Sequence, residues 1–253
     1  MLNHDKTDVY TQVSTSQILC SGLLETNFTV KDLKNYGDFG FGATAGMQEN
    51  IMILDGEIIS PTDKAIEHHV AICFLSYFIS DSELTLEHSM GINELRNEIQ
   101  SFLISENIVN LVKINGHFDF IQTSSFPKFK KPYPIITEGI VNNSTNKIFY
   151  DTSGTLLAFW LPDYCKCINA GAGGLHIHYI SDDRNICGHV LDCNITSGKV
   201  QLSSKHTISL KLPDCSDFHQ LNICENSIDK RIEAWAKEGV GGREGSNTSG
   251  FDI

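Results

Sequence analysis

Hydrophobic residues recur at helical spacing in only a few stretches of the chain. The clearest is INELRNEIQSFLISE (92–106), whose isoleucine, leucine and phenylalanine side chains would share one face, so we expect a helix there. Shorter helices are predicted for TSQILCSGLL (15–24) and for VKDLKNY, which Thr29 can cap and Gly37 can end. A helical tail is predicted for SIDKRIEAWAKEG (227–239). Helix is therefore the minor component.

Strand signals outnumber helical ones, above all after residue 111. Short β-prone runs such as LVKINGHFDFIQT, TLLAFWLP and GLHIHYIS are separated by turn residues. NIMILDGEII (50–59) is typical of a hairpin around Asp55-Gly56, and VAICFLSYFI (70–79) of a buried strand or a core helix. GDFGFGATAG (37–46) is so rich in glycine that we expect an irregular connection. The predicted fold class is α+β, dominated by sheet.

Composition indicates an acidic globular protein. The chain has 253 residues, of which 41% are hydrophobic and 20% charged, which suits one large domain or two closely packed ones. Its net charge of −12 argues against binding to nucleic acid or to an anionic membrane, and the lysine cluster Lys128–Lys131 is short. The N-terminal segment MLNHDKTDVY lacks the apolar core of a signal peptide, so we expect a cytoplasmic protein.

Three histidines lie close together in GLHIHYISDDRNICGHVLD (174–192). Side chains alternate along a strand, so His176 and His178 would share a face. If Asp182–Asn185 form a four-residue hairpin loop, His178 lies opposite His189, and cross-strand partners also share a face. Three convergent imidazoles with an open fourth position are typical of a catalytic zinc site.

Two alternatives to this zinc site stay open. The histidines could be ordinary sheet residues that are satisfied by hydrogen bonds and bind no metal. By alternation from His189, Cys187 faces the same side, so it could also complete a closed, structural zinc site.

Short motifs follow one another along the chain in a specific order: QVST (12–15), YGDFGFG (36–42), LDGE (54–57), INGHF, KPY, FWLP, HIHYISDDR, GHVLD and LKLP (210–213). In this order they resemble the acetolactate decarboxylase family over nearly the whole chain. The resemblance implies a two-lobed, mainly β fold, a homodimer, and a zinc ion held by His176, His178 and His189. Family members convert 2-acetolactate, a small molecule, to acetoin and CO₂, and zinc stabilises the enediolate that is left behind.

The positions of the family's other catalytic groups carry different residues here. The arginine that holds the substrate carboxylate is replaced by Ser124 in IQTSSFPK. The first-lobe glutamate, counted without gaps, is replaced by Asn50, with Glu49 beside it. The threonine after the family's GxG is Ala43, with Thr44 next to it. Ser124 and Asn50 are thus candidate catalytic residues, and Glu49 and Thr44 are candidate substrate-binding residues.

The C-terminal glutamate of the family matches Glu238, with Glu233 as the rival. We divide the chain into an N-terminal mixed α/β lobe (1–150), a C-terminal β lobe that carries the zinc hairpin (151–240) and a flexible tail (241–253).

The expected function follows from two observations. The three candidate zinc ligands are present, whereas the family's arginine and first-lobe glutamate are both replaced by uncharged residues. We expect a zinc-dependent enzyme that acts through an enolate on a chelated hydroxy-ketone or β-dicarbonyl compound, as a diverged isomerase, cyclase or decarboxylase. Ser124 and Asn50 would then supply neutral hydrogen bonds. Two alternatives stay open. One is a genuine acetolactate decarboxylase that uses Glu49 and an arginine from elsewhere, such as Arg184 or Arg243; the other is a non-catalytic zinc-binding protein.

Overall fold

The computed structural model describes residues 6–60, 68–136, 144–166, 168 and 174–223. Its strands are β1 (Val9–Val13), β2 (Phe39–Thr44), β3 (Asn50–Leu54), β4 (Glu57–Ile59), β5 (Val70–Ser76), β6 (Ser82–Leu86), β7 (Met90–Gly91), β8 (Val109–Ser125), β9 (Thr145–Leu161), β10 (Gly174–Ser181), β11 (Cys187–Lys205) and β12 (Thr207–Lys211). The α-helices of the described residues are α1 (Ser16–Cys20), α2 (Ile92–Phe102) and α3 (Ser216–His219). Short 3₁₀ turns lie at Lys6–Asp8, Val30–Asn35, Ala45–Met47 and Asp163–Cys165.

The described strands form two sheets. The first sheet has the order β12-β1-β5-β2-β3-β4, in which β1 and β12 are parallel neighbours. The second sheet has the order β10-β9-β8-β11-β6, and β7 pairs with β11. Because β10 also pairs with β11, the strands β10, β9, β8 and β11 close into a ring. The predicted class, α+β and dominated by sheet, is confirmed.

A buried aromatic layer joins the two sheets. Phe41 and Phe74 of the first sheet and Phe159 of the second sheet belong to one core cluster. The ring centroids of Phe41 and Phe159 are 5.3 Å apart, and those of Tyr10 and Phe159 are 5.4 Å apart. We call this cluster the inter-sheet layer. The opposite face of the second sheet packs against α2, through Leu95 and other apolar residues.

The glycine-rich stretch 37–46 was expected to be irregular, and this expectation is wrong. Residues Phe39–Thr44 form β2, and all six are buried. A β-carbon at Gly40 or Gly42 would collide with backbone carbonyl oxygens of β5, so glycine is needed there for the close approach of two strands. The alternation of glycine with large or apolar residues is therefore a strand pattern.

Other sequence-based expectations are confirmed. Residues 92–106 contain α2, which ends at Phe102 and buries its apolar face. Asp55 and Gly56 connect β3 and β4 with positive φ angles of 53° and 80°, as a tight hairpin turn requires. The run 70–79 contains the buried strand β5 rather than a helix.

The first two predicted helices are shorter than expected. In residues 15–24 only Ser16–Cys20 are helical, and the Thr15 hydroxyl accepts a hydrogen bond from the Ile18 N–H at 3.1 Å. After Thr29 the chain forms a 3₁₀ turn, which the Asp32 carboxylate closes by accepting from the Thr29 N–H at 2.8 Å. Short polar side chains thus cap the N-terminal ends of both segments.

The two sheets do not follow the expected division of the chain. Residue 150 lies inside β9, and β12, near the end of the described chain, returns to the first sheet beside β1. The predicted helix 227–239 and the tail 241–253 lie outside the described residues. None of the helices in the described part of the chain is long and apolar enough to span a membrane.

Candidate metal centre

A tight hairpin between β10 and β11 brings the three histidines together. The Ser181 N–H donates to the Ile186 carbonyl oxygen at 2.9 Å, which closes the four-residue loop that the sequence predicts. Within the loop, Asp183 Oδ1 accepts hydrogen bonds from the Ser181 hydroxyl at 2.6 Å and from the Asn185 N–H at 3.1 Å. His178 pairs directly with His189. The predicted register is confirmed.

The imidazoles converge on one point. One potential ligand nitrogen from each of His176, His178 and His189 lies within 4.8 Å of the other two. The three pairs of ring centroids are 5.0, 5.2 and 5.3 Å apart. A tetrahedral zinc ion places its nitrogen ligands about 3.3 Å apart, so small rotations of the rings suffice to close the set on a metal.

Aromatic residues of the first sheet support the histidine rings. The ring of Phe41 stacks on that of His178, with centroids 4.0 Å apart and planes at 15°. Phe74 meets His176 edge-on at 5.1 Å. The histidines therefore lie against the inter-sheet layer, with their rotamers limited by packing.

Burial favours the neutral form of the three histidines, which is the form that binds a metal ion. Burial, together with the neighbouring rings, holds the pKa of His178 well below its usual value, and burial lowers the pKa of His189 to about 4. Neutral imidazole is the metal-binding species. Both ring nitrogens of His176 and Nδ1 of His178 are buried and have no hydrogen-bond partner among the described residues. A metal ion would bind one nitrogen of each ring and so satisfy part of this unused capacity, and the residues therefore fit the group.

No fourth ligand joins this cluster within the described part of the chain. Cys187 pairs with Ile180, next along the hairpin from the histidine pair, yet its sulfur does not belong to the cluster. Burial raises the pKa of the Cys187 thiol, which disfavours the thiolate that binds zinc. Three protein ligands leave an open coordination position, as in a catalytic site.

Ser124 lies beside His189. It pairs with His189 across β8 and β11, so the two side chains share a face, and Ser124 is 8% exposed. The hydroxyl of the next residue, Ser125, accepts a hydrogen bond from Asn50 Nδ2 at 3.3 Å. This contact ties β3 of the first sheet to β8 of the second.

Asn50 and Glu49 take different roles at the start of β3. Asn50 alternates with Met52, which lies in the inter-sheet layer, so its side chain points toward the second sheet. The Glu49 carboxylate accepts from the Ser60 hydroxyl at 2.6 Å. Thr44 is 1% exposed, and its hydroxyl accepts from the Glu49 N–H at 2.9 Å. The Thr44 hydroxyl thus holds the turn rather than projecting into a binding site.

A cavity of about 510 Å³ opens between the two sheets next to this turn. Asn50 and Glu49 line one side, Thr123 and Ser125 another, and Cys187 contributes from the hairpin. The three histidines do not line this cavity. The residues that flank Ser124 therefore face the cavity, and Ser124 itself faces the metal cluster.

Comparison with known proteins identifies the family. The sequence model of the family described as alpha-acetolactate decarboxylase matches residues 10–225. An alpha-acetolactate decarboxylase of Methanosarcina mazei is 31% identical over 231 residues, which cover 89% of this chain and 79% of that protein. The chain belongs to the alpha-acetolactate decarboxylase family.

Solved structures agree with this assignment. The alpha-acetolactate decarboxylase of Bacillus subtilis strain 168 superposes with a TM-score of 0.84 and 27% identity, covering 90% of this chain and 98% of that one. A Staphylococcus aureus protein described as of unknown function and similar to alpha-acetolactate decarboxylase matches with a TM-score of 0.83 at 22% identity, which shows the shared fold.

Among the arginines of this family member, the sequence reasoning missed one. Arg184 lies in the hairpin loop and reaches Glu57 at 3.8 Å, at the protein surface. Arg96 of α2, the helix that packs against the opposite face of the second sheet, carries a charge that contributes, after burial, to lowering the pKa of His176 and of His189. The position of Arg96 on a predicted helix, beside the apolar face, did not indicate any influence on the histidines. Arg243, Glu233 and Glu238 lie outside the described residues.

Proposed function

We propose that this member of the alpha-acetolactate decarboxylase family is a zinc-dependent enzyme with a diverged substrate or reaction. It acts through an enolate on a small hydroxy-ketone or β-dicarbonyl compound, as an isomerase, cyclase or decarboxylase. The observation that carries the proposal is the pairing of a metal-competent histidine cluster with a serine, Ser124, where the resemblance places the family's arginine.

His176, His178 and His189 would hold the zinc ion. When bound, zinc supplies a Lewis acid that stabilises negative charge on substrate oxygen atoms. The protein contributes a dry environment, because Phe41 and Phe74 pack on the histidine rings. Electrostatic interactions are stronger where water is excluded.

Ser124 and Asn50 supply hydrogen bonds without charge. A serine hydroxyl can donate to a substrate oxygen, but it cannot neutralise a carboxylate in the way that an arginine does. Asn50 can donate or accept a hydrogen bond, but it cannot take up a proton as a glutamate can. Loss of one such group typically reduces turnover by about 10²–10³-fold. Acetolactate should therefore be a poor substrate.

Proton transfer falls to other groups in this proposal. Glu49 lines the cavity but is held by Ser60, whereas Glu238 matches the family's C-terminal acid. We assign the proton-carrying role to Glu238. If it has this role, truncation after Lys237 abolishes turnover of a good substrate while zinc content is unchanged. Unchanged turnover would show that Glu238 takes no part.

A second candidate function is genuine acetolactate decarboxylation. The identity to named alpha-acetolactate decarboxylases favours it, including 29% identity over 229 residues to that of Bacillus licheniformis. The cytoplasmic location and the homodimer, which the sequence and the resemblance predict, are proposals for either function.

An acetoin assay separates the two candidates. The zinc-loaded protein and the Bacillus licheniformis enzyme are incubated with 2-acetolactate at equal concentrations, and acetoin is quantified. We expect turnover at least about 10²-fold below that of the control enzyme. The Ser124→Arg variant should not restore the full rate, because Asn50 still lacks a transferable proton. Comparable turnover of the two wild-type proteins would refute the divergence.

A further inference from the structure

The cavity beside the turn at the start of β3 is large compared with 2-acetolactate. Its volume is about 510 Å³, and cavities of about 300–1,000 Å³ hold drug-sized ligands. 2-Acetolactate has a chain of four carbon atoms with one methyl branch, so it would occupy only a small part of this space. The volume therefore suits a larger molecule.

The walls of the cavity combine aromatic rings with polar groups. Phe126 follows β8 and packs against the inter-sheet layer, whereas Phe149 of β9 and Ile186 of the hairpin pack against the core of the second sheet. Lys147 and Glu49 also line the cavity. The rings of the two phenylalanines provide surface on which an apolar or aromatic group can pack.

The cavity continues toward the histidine cluster along β11. Cys187 lines the cavity, and His189 follows it by two residues, so both side chains point to the same face of the strand about 7 Å apart. Cys187 also packs against the inter-sheet layer, on which the histidine rings lie. A molecule that is bound at the histidines therefore reaches the cavity by passing Cys187.

The two residues proposed to form hydrogen bonds with the substrate lie at opposite ends of this path. Ser124 pairs with His189, whereas Asn50 lines the cavity. Thr123 and Ser125, on either side of Ser124, also line the cavity. A substrate that contacts both Ser124 and Asn50 must extend from the metal cluster into the cavity.

We propose that the cavity receives an apolar or aromatic substituent of the substrate, while oxygen atoms of the same substrate bind at the histidines. This inference rests on the proposed function, and it narrows the substrate class to hydroxy-ketones or β-dicarbonyl compounds that are bulkier than 2-acetolactate. Binding of a remote substituent holds the reacting end of a molecule in place. Packing in the cavity thus replaces part of the orientation that a charged group provides.

Two hydroxamate probes test this role, because a hydroxamate chelates zinc through two oxygen atoms. Acetohydroxamate carries a methyl group, and 3-phenylpropanohydroxamate carries a phenylethyl group. In calorimetric titration, the zinc-loaded wild type should bind the phenyl probe about 10- to 100-fold more tightly than acetohydroxamate, as burial of an aromatic ring predicts. Equal affinities would refute the inference while the proposed function stands. If neither probe binds, the proposed function fails as well.

Two variants should reduce this preference for the phenyl probe. Cys187→Phe narrows the path from the histidines, so the ratio of the two affinities should fall below about threefold. Phe149→Ala removes an aromatic wall and should lower the ratio by about 2- to 10-fold. Zinc content and melting temperature are measured for each variant, so a loss of folding or of metal is recognised.

Each variant has a matched control. Cys215 is also a half-buried free cysteine, and Ile148 is an exposed neighbour of Phe149; both lie outside the set of described residues that line the cavity. Cys215→Phe and Ile148→Ala should keep the preference of the wild type. If Cys187→Phe and Phe149→Ala are folded, retain zinc and keep the full preference, the cavity does not receive the substituent.

Discussion

The histidine cluster and the turn at the start of β3 differ in whether their polar atoms already have partners. At the turn, each candidate group already has a protein partner: Asn50 donates to Ser125, Glu49 accepts from Ser60, and Thr44 accepts from the Glu49 N–H. In the cluster, the ring nitrogens of His176 are buried and unpartnered within the described structure.

This difference separates groups that hold the fold from groups that await a ligand. Buried polar atoms are nearly always satisfied, so those that lack a partner mark the place where a ligand belongs. The turn joins the two sheets through the hydrogen bond from Asn50 to Ser125, beside the role proposed for Asn50 toward the substrate. The ring nitrogens of His176 and Nδ1 of His178 retain unused capacity for binding.

Removing one histidine should have the largest effect. His178→Ala should reduce bound zinc from one ion per chain to almost none, with affinity lowered by more than about 10²-fold, because a ligand contributes more than its supporting residues do. Elemental analysis after dialysis against a limiting zinc buffer measures this. His117→Ala is the control, since His117 is an exposed histidine that contacts Asp151. Undiminished zinc in His178→Ala would mean that the cluster is not the metal site.

The second-largest effect should come from removing the aromatic ring of Phe41, which stacks on His178. Phe41→Ala should lower the free energy of unfolding by about 3–5 kcal/mol, because it removes a fully buried ring from the inter-sheet layer. It should also weaken zinc binding, since His178 loses the ring on which it stacks. Urea unfolding of the metal-free protein and zinc titration provide the two measurements. Unaltered zinc affinity would show that the first sheet does not position the histidines.

The smallest effect is expected at the turn. Asn50→Ala removes one hydrogen bond between the sheets and should cost about 0.5–1.5 kcal/mol of unfolding free energy, with zinc binding unchanged. Ser125→Ala should cost a similar amount, and the double variant should cost little more than either single one. A large loss of zinc in Asn50→Ala would contradict the contrast between the two regions.

The histidine register could be predicted from sequence because it depends on local rules. Alternation along a strand and the length of one loop fix which face each residue occupies, so the pairing of His178 with His189 follows from the turn residues. The sequence leaves the choice between Asn50 and Glu49 open, and both residues line the cavity.

Longer-range features escaped prediction for a physical reason. The glycines of β2 suggested irregular chain because their purpose, the close approach of β5, involves a strand that is distant in sequence. The packing of α2 on the second sheet depends on the pairing of β7 with β11, which brings together residues about a hundred positions apart. Neither contact leaves a periodic signal in the residues that make it.

The parallel pairing of β1 with β12 has a consequence for synthesis. Val9–Val13 pair with Thr207–Lys211 on one edge, and with β5 on the other. A ribosome releases β1 and β5 long before it releases β12, so the outer edge of β1 stays unpaired until β12 has been made. Exposed edges of this kind recruit other strands. Prematurely terminated products of this protein should therefore aggregate through β1, whereas the finished chain covers that edge itself.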